Sequence, residues 1–146
     1  MAMNMSVKSL CRDLFFLMLL ISAGGAKAQP HCGDFLAQLS NKPEFVVLLE
    51  CTQHNDIQGK PFVARYRVKG SDAHEAERYM RQAFGLPALR FMCCGWDSTL
   101  HFYRDEETRR PYMIGMGSEE TLVNTRDGWP VIAFFYISVS LFTEDP

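Results

Sequence analysis

"FVARYRVKGSDAHEAERYMRQAF", residues 62–84, changes its repeat halfway along. Over residues 62–70, Phe62, Ala64, Tyr66 and Val68 alternate with Val63, Arg65, Arg67 and Lys69. Successive side chains of a strand point to opposite faces. The period of two therefore predicts a strand with one covered face and one wet, cationic face. After Ser71 the period lengthens. Ala73, Ala76, Met80, Ala83 and Phe84 fall on one side at helical spacing. Ser71 suits an N-cap, and Asp72 and Glu75 lie in the first turn, where the helix dipole favours negative charge. Glu77 and Arg81 stand one turn apart as an opposite-charge pair. Gly85 is placed to end the helix, with Pro87 just beyond. A strand passing directly into an amphipathic helix sets the plan, a sheet with a helix laid across it.

Upstream, "EFVVLLEC", residues 44–51, reads as a strand, and its apolar groups on both faces predict a central place in the sheet. "CGDFLAQLS", residues 32–40, reads as a short helix with Phe35, Leu36 and Leu39 as its stripe. Downstream, "ALRFMCC", residues 88–94, is a strand, "GWDS" a turn, and "TLHFYR", residues 99–104, a returning strand. "YMIGMG", residues 112–117, follows a charged connection, and after the turn "DGWP" the strand 131–142 closes the order. Short turns between consecutive strands imply antiparallel pairing. The expected fold class is α+β, a single domain with an antiparallel sheet and two helices packed on one face.

The first 28 residues read as a secretory signal. Lys8 and Arg12 form the basic region, "LFFLMLLISAGG" at 14–25 the apolar region, and "AKA" at 26–28 the cleavage site. The apolar run is shorter than the ~20 residues that a bilayer span needs. Residues 29–146 are then one exported domain, periplasmic or secreted, with no membrane span after cleavage. Removing Lys8, Arg12, Lys27 and Asp13 takes away three cations and one anion, moving the formal charge from −2 to −4. Mild acidity argues against nucleic acid, which calls for a basic face.

Cys11 leaves with the signal, and Cys32, Cys51, Cys93 and Cys94 remain. An even count in an exported domain reads as disulfides. Adjacent Cα atoms lie ~3.8 Å apart, below the usual ~4.4–6.8 Å, which disfavours a Cys93–Cys94 bridge. Each of the two is then expected to reach Cys32 or Cys51. The core-facing alternation favours Cys51–Cys93 with Cys32–Cys94 over the exchanged pairing.

No catalytic signature appears. His31, His54, His74 and His101 lack zinc-site spacing, "HEAE" at 74–77 is not HExxH, and no nucleophile elbow occurs. Neither a cofactor nor a metal is expected. The candidate interface is the cationic row Arg65, Arg67 and Lys69, which suits an acidic protein partner in the envelope, together with Trp96 in its turn. This favours a disulfide-stapled binding protein of the inhibitor or immunity type. The alternative is a small cell-envelope hydrolase using His101 with Asp97.

The order of a signal peptide, "CGDFLAQL", "LLEC", "YRVKG", a helix and "LRFMCCGW" resembles a family of small exported bacterial proteins known as a domain of unknown function. The resemblance implies a periplasmic location and the four-cysteine framework. It brings no activity, so no catalytic residue is carried over.

Overall fold

The computed structural model describes residues 29–144, so the signal expected at 1–28 lies outside the described residues. Strand β1 (Val47–Gln53) turns back into β2 (Phe62–Lys69), which passes through a 3-10 turn (Gly70–Asp72) into helix α2 (Ala73–Phe84). A helix of one turn, α1 (Phe35–Leu39), precedes them. Beyond α2 come β3 (Arg90–Met92), β4 (Gly95–Asp97), β5 (His101–Arg104), β6 (Pro111–Ser118), a second 3-10 segment (Arg126–Val131) and β7 (Phe134–Leu141). All pairings are antiparallel. The seven-stranded sheet runs β1-β2-β7-β6-β4-β3, with β5 also paired to β6.

The expected α+β class with two packed helices is thereby corrected: the fold is β-rich. α1 is only five residues long, too short to form a layer, and α2 alone lies along the sheet. α2 starts after Asp72 rather than Ser71, because Gly70–Asp72 already turn as a 3-10 helix. It ends as expected on Gly85, whose φ of 72° is the left-handed conformation of a helix C-terminus and whose N–H donates to the Arg81 carbonyl.

β1 is an edge strand, not a central one. Its apolar residues at 47 and 49 are exposed, and a bulge falls between Leu48 and Glu50. Strand 88–94 is cut short because Cys93 and Cys94 turn the chain into β4, where Met92 pairs with Gly95. The last strand begins at Phe134 rather than residue 131, since the 3-10 segment containing Pro130 runs on through Val131.

The core lies on one face of the sheet. Ala64, Tyr66 and Val68 of β2 meet Val139, Ile137 and Phe135 of β7 in register, and Ile114 and Met116 of β6 continue the layer. α2 lays Ala73, Ala76, Met80 and Phe84 over it, and Trp129 from the 3-10 segment fills the end.

The N-terminal segment is stitched down by polar bonds as well as packing. The Leu36 N–H donates to the Tyr66 hydroxyl at 3.1 Å, and Phe35 meets Tyr112 edge-on at 5.8 Å. Cys32 and Cys51 form a disulfide with Cα atoms 5.6 Å apart. Neither pairing expected from the sequence forms, and Cys93 and Cys94 are free. The bridge closes a loop with a sequence separation of 19. On the loop-entropy account such a closure stabilises by about 3 kcal/mol. The double variant Cys32→Ser, Cys51→Ser should lose about 2–3 kcal/mol in urea unfolding. A loss near zero would mean that non-covalent contacts such as those to Tyr66, Tyr79 and Tyr112 hold this segment without the bridge.

Candidate functional site

Among the described residues, no helix covers the second face of the sheet. It receives the other half of each alternation: Val63, Arg65, Arg67 and Lys69 from β2, and Phe134, Tyr136, Ser138 and Ser140 from β7. β6 adds Met113, Gly115 and Gly117, which pair with Ser140, Ser138 and Tyr136. The two middle strands thus present glycine and serine, while their neighbours present longer side chains. The result is a trough rather than a flat sheet.

One hollow of about 360 Å³ is lined by Arg65, Asp97, Leu100, Gly115, Tyr136 and Ser138. A second, of about 560 Å³, is lined by Phe102, Arg104, Pro111, Met113 and Phe142. Phe102 pairs with Met113 on the same face. The glycines are needed for this shape: a Cβ on Gly115 would come within 3.0 Å of Leu100 Cδ2, and one on Gly117 within 3.0 Å of the Trp96 carbonyl.

The cations on this face are weakly engaged. Arg65 Nη1 stands 3.3 Å from Glu50 Oε1, with both side chains more than half exposed. Such a pair contributes about 0–1 kcal/mol. The Arg67 guanidinium lies 4.7 Å over the Phe134 ring. Lys69 is exposed and has no ion-pair partner among the described residues. The row is therefore available to an anion from outside, and aromatic rings lie beside it.

The other sequence candidates are placed differently. Trp96 is buried rather than presented to solvent: it is 6% exposed, donates its indole N–H to the Val123 carbonyl at 2.8 Å, and meets Trp129 edge-on. It belongs to β4 and points into the core, where a turn had been expected. His101 and Asp97 are kept apart by the sheet. His101 pairs with Ile114 and Asp97 with Gly117, three residues further along the same strand. An odd offset puts the two on opposite faces, so the proposed hydrolytic dyad cannot assemble. His74 is stacked on Trp129 at 4.4 Å, with its Nε2 3.1 Å from the Arg126 carbonyl.

Tyr136, Ser138, Gly115 and Phe102 went unnoticed as site residues. The polar half of the alternation in 134–141 hints at Tyr136 and Ser138, and nothing local marks Gly115 or Phe102. Cys93 and Cys94 lie exposed on the β3–β4 turn, away from the trough residues.

Among the described residues, no helix is long and apolar enough to cross a membrane. Neither a curated protein nor a solved structure matches the chain. Residues 21–96, just over half of the sequence, match the model of DUF4952, a domain of unknown function, and the chain belongs to that family.

Proposed function

We propose that this protein is a binding protein of the cell envelope, periplasmic or secreted, that captures an acidic protein partner on the uncovered sheet face. The carrying observation is the row Arg65, Arg67 and Lys69, exposed beside Phe134 and Tyr136 on a face that no helix of the described residues covers. Arginine and aromatic residues are the side chains enriched at protein interfaces. The basic, apolar and small-residue order of residues 1–28 and the Cys32–Cys51 bridge support export. An inhibitor or immunity-type role fits a small, bridged scaffold with a cationic row on its exposed sheet face. Export also brings a requirement: the partner must be reachable outside the cytoplasm.

The test is the double variant Arg65→Glu, Arg67→Glu. Charges on an exposed face change stability by about 0.5 kcal/mol or less, so the fold should melt as before. Capture of the acidic partner from envelope extracts should fall by at least about tenfold at low salt. The difference should shrink as salt shortens the screening length towards ~3 Å at 1 M. Equal capture by two equally stable proteins would remove the row from the binding surface.

A further inference from the structure

The β3–β4 hairpin carries two thiols at its tip. Met92 pairs with Gly95, so Cys93 and Cys94 are the only two residues of the turn. Cys93 has a φ of 55°, a conformation that side-chain-bearing residues seldom adopt. The Cys94 N–H donates to the Met92 carbonyl at 2.6 Å, closing a tight turn centred on Cys93. The Cys94 carbonyl accepts from Thr121 N–H at 2.8 Å, which fixes the far side of the turn. Within this frame the two sulfurs stand 2.8 Å apart and both residues are exposed. That separation is too short for ordinary non-bonded contact and somewhat longer than the ~2.05 Å of a covalent S–S bond.

With Cys32 and Cys51 already joined, Cys93 and Cys94 are the remaining thiols among the described residues. We propose that Cys93 and Cys94 form a vicinal dithiol that undergoes thiol–disulfide exchange with disulfide substrates, closing to a Cys93–Cys94 disulfide and reopening. This inference rests on the hairpin tip and is independent of the uncovered sheet face.

The exchange balances without any further oxidant. Cys93 loses its proton to solvent, and its thiolate attacks one sulfur of a substrate disulfide, R–S–S–R. The substrate S–S bond breaks, one R–S⁻ leaves and takes up a proton, and Cys93 carries the other half as a mixed disulfide. Cys94, already beside it, loses its proton and attacks the Cys93 sulfur; the mixed disulfide breaks, and the second R–S⁻ leaves and takes up a proton. Two protein thiols have been oxidised and one disulfide reduced to two thiols. The Cys94 S–H donates to the Cys93 sulfur. That bond, the charge of Cys93 and, to a lesser degree, Glu120 hold the Cys94 thiol above its ordinary range. Cys94, standing 2.8 Å from the Cys93 sulfur, is placed for the second, resolving step.

The closed form stores strain, because adjacent Cα atoms stand only ~3.8 Å apart whereas disulfides usually span ~4.4–6.8 Å. Strained, exposed bridges are the readily reduced ones. The Cys32–Cys51 bridge spans an ordinary 5.6 Å and provides a control within the same molecule.

The experiment incubates the full chain with glutathione disulfide, blocks free thiols under denaturing conditions, and maps tryptic peptides. Arg90 and Arg104 release residues 91–104, which hold both cysteines. In the wild type this peptide should be lighter by two hydrogens and carry no glutathione. In the variant Cys94→Ser it should retain one glutathione on Cys93, the trapped first step. In graded reduced glutathione, the Cys93–Cys94 bond should open at a concentration about tenfold or more below that which opens Cys32–Cys51. Glutathione on both cysteines of the wild type, two thiols still free to alkylate, or a bridge from either one to Cys32 or Cys51 would overturn the proposal. Equal resistance of the two bridges to reduction would overturn it as well.

Discussion

Gly70→Ala should lose about 3 kcal/mol or more of unfolding free energy, a large part of the 5–15 kcal/mol that a domain commonly has. Gly70 sits where β2 turns towards α2, and its N–H donates to the Ala133 carbonyl at 3.2 Å. A Cβ at this position would overlap the carbonyl oxygens of both Ile132 and Trp129. Those are backbone atoms, so no rotamer change relieves the clash. The 3-10 turn and the 126–131 segment must separate, and Trp129, wholly buried, would lose its seat. Gly33→Ala is the matched control. Its Cβ would meet only the side-chain end of Gln38, at 2.8 Å, and that side chain can swing away. Its cost should stay near 0.5 kcal/mol or below. Urea unfolding of the two variants makes the comparison. Equal midpoints would mean that the close approach at Gly70 yields without loss.

The second large effect is expected at Arg126. Its guanidinium donates to Glu77 at 2.6 and 2.9 Å and to the Leu89 carbonyl at 2.8 Å, while Glu77 also accepts from the Leu89 N–H. The same group lies 4.7 Å over Trp129 and 5.6 Å over Trp96. It therefore ties α2, the entry to β3 and the 3-10 segment together. Glu77 is 5% exposed. Removing one partner of a buried pair typically costs ~3–5 kcal/mol. The Arg126 side chain is 39% exposed, so water replaces part of what is lost, and Arg126→Ala should cost about 2–3 kcal/mol.

The pH dependence distinguishes this pair from simple packing. Burial pushes the Glu77 carboxyl up, but the bonds from Arg126 and Leu89 and the charge of Arg126 bring it below its ordinary range. A depressed carboxylate stabilises fully above its unfolded value of ~4.3, and the contribution is lost as pH falls through the folded value. In Arg126→Ala the burial remains and the cation does not. The carboxyl should then rise, and protonation should relieve the buried charge. The gap between wild type and variant should narrow between pH 7 and pH 4. An unchanged gap would assign the loss to the Trp96 and Trp129 contacts instead.

Much of this architecture can be read locally, and the rest depends on partners distant in sequence. β2 and α2 each carry a strong period and clear ends, so 62–84 reads correctly to within a residue or two. The apolar run at 44–51 looks central because Val47 and Leu49 are apolar, but only the sheet order shows that no strand of the described residues lies beyond them. The turn at Cys93 and Cys94 has no glycine, asparagine or aspartate to announce it, and cysteine reads as part of the apolar run. Its left-handed backbone is visible only in three dimensions. Missing that turn also misplaced Trp96 and hid β4.

The covered and uncovered faces follow from alternation, but the trough does not. It forms because β6 comes to lie beside β7, which puts Gly115 against Ser138. The cysteine pairing is likewise a property of the folded backbone: spacing alone left two arrangements, and a third one forms.

The position of β7 governs when this protein can fold. It is the last of the seven strands in chain order, yet it lies inside the sheet between β2 and β6. Lys69 must find Phe134, and Phe62 must find Leu141. Until residues 134–141 have been made, β1 and β2 are a hairpin with an open inner edge, and two strands alone are marginal in water. The high contact order of these pairings predicts slow folding, and their inner partner is missing from the nascent chain until residues 134–141 are made. An unfinished inner edge of this kind invites association with other chains, so the emerging polypeptide is the state most in need of a chaperone.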